Sequence, residues 1–123
     1  MKYCLILCFF VFTIGRAQTG AEKIMTAKSP SEAQKLARLD IINKTPALFI
    51  QGGFAPVVMQ RDLAFEKKYN VNIADFGCTG LEFKIVSAYN KIIFRHLDTK
   101  HGIQWQKEIR ADIIGLKEYL KKK

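Results

Sequence analysis

FEKKYNVNIADFGCTG, residues 65–80, joins a charged helix end to a short strand and then to a loop framed by glycines. Lys67 and Lys68 stand where cations suit the C-terminal end of a helix dipole. Asn70 is a residue type that accepts the left-handed turn that stops a helix. Asp62 is expected to cap this helix, which then runs through Leu63, Ala64, Phe65 and Tyr69. Val71, Ile73 and Phe76 set a short strand. Gly77 and Gly80 frame the turn out of it, around Cys78 and Thr79.

Upstream, residues 47–50 form a continuous apolar run between Pro46 and Gly52-Gly53, the pattern of a strand buried on both faces. Residues 55–59 either return as a hairpin strand, which Pro56 would confine to an edge, or begin an irregular crossing into a β-α-β unit. The crossing is the preferred reading, and if the two strands pair in parallel their connection is right-handed. Ser29, Pro30 and Glu32 make a capping box with a proline start. That helix continues to about Asn43, before Pro46 biases the chain away from helix. Residues 18–28 are polar and aperiodic, and read as a flexible lead-in.

Downstream lies the strongest periodicity, a helix over residues 82–100. Val86, Tyr89, Ile93 and Leu97 centre its apolar face, and Phe83, Ile85, Ile92 and Phe94 widen it. Lys84, Ser87, Lys91, Arg95 and Asp98 fall opposite. His101-Gly102 is a stop. A last helix is expected from Gln104, with Trp105, Ile109, Ile113, Leu116 and Leu120 along one side; Gly115 interrupts its propensity by about 1 kcal/mol relative to alanine. The fold class is therefore α+β (or small α/β), with two or three short strands packed against three to four helices. Residues 29–120 make one globular domain, and residues 121–123 a solvated basic tail.

Residues 1–17 read as a cleavable signal peptide. Lys2 begins it, an apolar run fills residues 3–14, and Gly15 and Ala17 sit where a signal peptidase reads, before Gln18. The run is too short to be an anchor, which needs about twenty residues. The chain carries a net charge of +9, and loss of Lys2 and Arg16 with the leader lowers it by two. Such an excess favours acidic partners without specifying one. Cys4 and Cys8 leave with the leader, so Cys78 remains alone and no internal disulfide framework is possible.

FEKKYNVNIADFGC resembles a stretch of small exported proteins of Bacteroidetes. The likeness continues through Tyr89-Asn90, Phe94, Leu97-Asp98, Lys100, Gly102, Trp105, residues 108–110 and residues 112–115, and covers roughly residues 47–117. The leader ending in Ala17-Gln18 resembles theirs as well. That group has no established activity. The resemblance therefore implies a periplasmic or secreted location and transfers no catalytic residue.

The residues that can carry chemistry are few. Cys78 is either a small buried hydrophobe or a nucleophile, and His96 and His101 are the only imidazole bases. His96 falls inside the apolar arc, as a partly buried ring would. On a continuous helix Glu108 and Asp112 lie four residues apart and can share a proton or a cation; alternatively Asp112 pairs with Arg95 or Arg110, or caps a turn at Ile113. Two histidines without ligand spacing make no metal site, and no cofactor motif is present. Asp75-Phe76-Gly77 lacks the rest of a kinase signature, and Gly52-Gly53 is no phosphate loop. Basic residues are scattered without aromatic interleaving, which argues against nucleic acid. The leading reading is an exported, non-enzymatic interaction or ligand-binding module for a protein or small ligand of the envelope. Its partner would meet Gly52, Gly53 and Phe54 together with Asp75, Gly77, Cys78, Thr79 and Gly80, because α/β sheets present sites at strand ends. The alternative is a small thiol- or carboxylate-dependent enzyme using Cys78 with His96 or His101, or Glu108 with Asp112.

Overall fold

Ser29 caps helix α1 (Pro30–Ile42), and its side chain accepts from the Glu32 backbone N–H. The structure, a computed structural model, describes residues 23–51, 59–75 and 81–123. Glu32 reaches back to the Lys28 N–H at 2.7 Å, one residue beyond the expected box. The lead-in departs from expectation where it is described: Ile24 is fully buried and Ala27 buried, so from residue 23 the segment packs on the core. Two apolar residues three apart suffice for that contact and are too few to register as a period.

Strand β1 (Ala47–Ile50) is buried throughout. Helix α2 (Gln60–Tyr69) follows, then β2 (Asn72–Asp75). The strands pair in parallel, with Ala47 opposite Asn72 and Ile50 opposite Asp75. The crossing is thus the observed course, since parallel neighbours require a crossover. Asp62 sits inside α2 rather than before it, where its carboxylate accepts from the Met59 N–H at 3.1 Å. Asn70 ends the helix in the left-handed conformation, φ 54° and ψ 45°. Glu66 covers the outer edge of β2 by accepting from the Ile73 N–H at 2.7 Å.

Helix α3 (Phe83–His101) is the spine, and packs along α1 and under β1. Its buried face holds Ile85, Val86, Tyr89, Asn90, Ile92, Ile93, Phe94 and Leu97. Fully burying such an apolar side chain contributes about 1.5–3 kcal/mol. Phe83, expected on that face, stands 53% exposed at the first helical position, where the packed face ends. Tyr89 donates to the buried Asp40 of α1 at 2.6 Å, and Lys23 approaches the same carboxylate at 3.3 Å. Burial, then Asp40, raises the Tyr89 phenol well above its ordinary pKa, so it stays a donor. Asn90 Oδ1 accepts from the Phe49 N–H at 3.0 Å. Its Nδ2 donates to the carbonyls of Phe49 at 3.0 Å and Ile114 at 2.9 Å.

The expected last helix is broken. Helix α4 (Trp105–Glu108) stops at Ile109, whose backbone is extended at φ −75° and ψ 149°. Ile113 then bridges Ile50 antiparallel, and the Ile114 N–H donates to the Phe49 carbonyl at 3.1 Å. Gly115, at φ +80°, starts α5 (Leu116–Lys121). The free outer edge of β1 offers these residues hydrogen bonds that a helix would forgo. Leu120, expected inside, is 39% exposed. Lys121 belongs to α5, and Lys123 pairs with Asp98, so residues 121–123 are not a free tail.

The described elements are therefore five helices and one two-stranded parallel sheet around a common core, a small α+β fold. Phe94 and Trp105 stack in that core with centroids 5.6 Å apart. Among the described residues no helix is long and apolar enough to cross a membrane. All three cysteines lie outside the described residues.

Candidate functional site

Ser87, Lys91 and Arg95 recur every fourth residue on α3, so they form one row along the helix. The sequence places this row on the face away from the core, and the structure covers part of it with α5. Gly115 permits the close approach: a Cβ there would lie 2.5 Å from Ser87 Oγ. The left-handed turn at Gly115 then sends α5 along the row. Between them runs a groove of about 480 Å³, lined by Ser87, Lys91, Arg95, Glu118, Tyr119 and Lys122, and also by Lys123 and Gly115. That volume falls within the size range of small-molecule sites.

One wall is anchored through Asp98. Expected on the solvent face with the basic row, it is instead overlaid by α4 and α5. It accepts from Trp105 Nε1 and Gln106 Nε2, both at 2.9 Å, from Lys123 Nζ at 2.6 Å, and from the Tyr119 hydroxyl. Burial pushes this carboxyl up, but the donors Lys123, Tyr119, Trp105 and Gln106 outweigh it and hold the carboxyl below its ordinary value. The Tyr119 phenol is pushed up to about 12 by burial and by Asp98, so it remains neutral. Its ring packs on Phe94 at 5.1 Å, with Lys123 Nζ 5.3 Å from the ring centre.

The remaining cations of the groove have no such compensation. Among the described residues no carboxylate lies within ion-pair distance of Lys91, Arg95 or Lys122. Glu118 is the one acid lining the described groove. Uncompensated cations beside a low-dielectric wall concentrate a positive potential in the opening.

Comparison with family models, characterised proteins and solved structures finds no match.

The strand-end site expected from the sequence is mostly out of view. Gly52, Gly53, Phe54, Gly77, Cys78, Thr79 and Gly80 lie outside the described residues. Asp75 ends β2 opposite Ile50 and is half-buried. His96 is half-buried, and its ring is held below the ordinary imidazole value by burial first, then by Lys100 and His101. His101 lies edge-on to Tyr69 at 5.0 Å, with Nε2 buried and unbonded among the described residues.

Glu108 and Asp112 are not brought together as a carboxylate pair. Glu108 takes both oxygens to Lys68, at 2.8 and 3.0 Å. Asp112 receives the fork of Arg110, which also reaches the buried Asp62 at 2.8 Å. Each carboxyl is held below its ordinary value by its own cation, Lys68 or Arg110. The break at Ile109 removes the helical geometry that would have juxtaposed them. This disfavours the carboxylate form of the enzyme reading and agrees with the ion-pair alternative for Asp112 and Arg110. Among the described residues no cluster of His, Cys, Asp or Glu is arranged to hold a metal ion.

The groove itself was not anticipated from the sequence. Its signal was present as a hydroxyl, an amine and a guanidinium at four-residue spacing, and as a glycine free of helical duty at position 115.

Proposed function

We propose that this protein is a non-enzymatic module that binds an anionic ligand or partner in the groove between α3 and α5, outside the cytoplasm. The supporting observation is the uncompensated charge of Lys91, Arg95 and Lys122 in an opening that already has an aromatic wall, Tyr119. Cations left without partners in a native groove retain their electrostatic attraction for a ligand, and burial against Tyr119 strengthens it. The leader-like residues 1–17 support placement in the periplasm or outside the cell.

The test is fluorescence anisotropy of a labelled oligoglutamate peptide with the full chain. Binding is expected at low salt, and it should fall steeply as ionic strength rises past the point where the Debye length is about 10 Å. Reversing both charges, Lys91→Glu with Arg95→Glu, should abolish it, because neither residue holds an ion pair that folding needs. Absence of binding, or binding unaffected by the double reversal, would sink the reading.

A further inference from the structure

The donors in this groove are of three kinds and lie in one row. Ser87 supplies a hydroxyl with no hydrogen-bond partner among the described residues, Lys91 an ammonium, and Arg95 a planar guanidinium. Helical side chains tilt toward the N-terminus of their helix, which carries the Lys91 and Arg95 head groups toward Ser87. Ser87 and Arg95, eight residues apart, are separated by about 12 Å along the axis, with Lys91 midway, a span that the two long side chains and an intervening phosphoryl group close between them. A carboxylate offers two oxygens and one charge, too little for three such donors. A phosphoryl group offers three oxygens and a charge between one and two units, and arginine matches its geometry bidentately. Beside the row, the Tyr119 ring presents an apolar wall held in place by Phe94 and Asp98.

We propose that the ligand is a phosphate monoester, with its phosphoryl group against Ser87, Lys91 and Arg95 and its organic body on the Tyr119 ring. This rests on the anion-binding reading above and narrows it. The ester is either a free small molecule or the headgroup of a monoester phospholipid, since both present the same terminal phosphoryl group. Glu118 lines the same groove and repels the dianion, so its removal strengthens binding.

The test titrates the full chain with phenyl phosphate and with benzoate, read by backbone amide NMR, and sediments it with phosphatidate and with phosphatidylglycerol vesicles. Phenyl phosphate should bind at least about tenfold tighter than benzoate, with shifts centred on Ser87, Lys91, Arg95 and Tyr119. Arg95→Gln and Ser87→Ala should each weaken it, Arg95→Lys should weaken it less than Arg95→Gln, and Glu118→Gln should tighten it. Arg95 and Glu118 are exposed, so their variants leave the fold intact. Binding to phosphatidate vesicles alone, lost in Arg95→Gln, assigns the lipid source. Equal binding of phenyl phosphate and benzoate overturns the phosphate assignment, as does binding away from the groove or to neither soluble ester nor phosphatidate. If oligoglutamate still binds in those cases, only this assignment falls; if it does not, the anion reading falls with it.

Discussion

Asn90 lies fully buried on α3 and uses its carboxamide as a neighbouring strand would, pairing with both the N–H and the C=O of Phe49 and adding the carbonyl of Ile114. Alanine at this position would leave the Phe49 N–H and the Ile114 carbonyl without these bonds in an apolar interior, while the Phe49 carbonyl keeps the Ile114 N–H. Each unsatisfied group costs about 1–3 kcal/mol, so Asn90→Ala is expected to lose about 2 kcal/mol or more in urea unfolding. A loss under about 1 kcal/mol would mean that water enters and replaces the amide. The sequence placed Tyr89 at the centre of the buried face, but gave no role to the amide beside it. The reason is physical: its partners stand 41 and 24 positions away, and no local pattern reports on them.

At the scale of elements, the caps were legible because their partners are local. Ser29 and Asn70 act where the sequence puts them, and the apolar run at residues 47–50 is the buried strand it resembles. The segment from Trp105 to Leu120 was not. Trp105, Ile109 and Ile113 recur every fourth residue, which fits one side of a helix and equally the same face of an extended chain. Competition for the edge of β1 decided between them, and only Gly115 announced the break. At φ +80° this residue favours glycine, and a Cβ would also displace the Ser87 hydroxyl. Gly115→Ala is expected to cost about 1–2 kcal/mol, chiefly from the left-handed backbone. Thermal melting of Gly115→Ala with and without Ser87→Gly separates the two causes. If the second substitution restores full stability, the cost was steric and the backbone argument is wrong.

Across the whole molecule, the groove needs α3 and α5 together, and the sequence shows such charges only as the solvated back of a helix. Their lack of partners emerges when the fold sends Asp112 to Arg110, Glu108 to Lys68 and Asp98 to Lys123. Titration of the whole fold follows from these assignments. The His96 ring is held below its ordinary value, so the unfolded chain takes up that proton first. Its contribution to stability is complete above about pH 6.5 and is lost as pH falls toward the lowered folded value. Asp98 is depressed as well, so its contribution is complete above about pH 4 and disappears below it. Melting temperature is expected to decline in two steps on acidification. His96→Gln should remove the first and Asp98→Asn should flatten the second. A melting temperature that rises between about pH 7 and about pH 5 would contradict the first assignment.

The bonds from Asn90 also carry an implication for the order in which this chain is made. Phe49 is synthesised 41 residues ahead of Asn90, and Ile114 follows 24 residues later still. Until Asn90 and then Ile114 arrive, the outer edge of β1 lacks the partners it has among the described residues. An apolar strand with an open edge is a template for a second chain. The nascent protein is therefore most exposed to its neighbours in the interval between Phe49 and Ile114, and a chaperone that holds such chains apart has its work at residues 47–50.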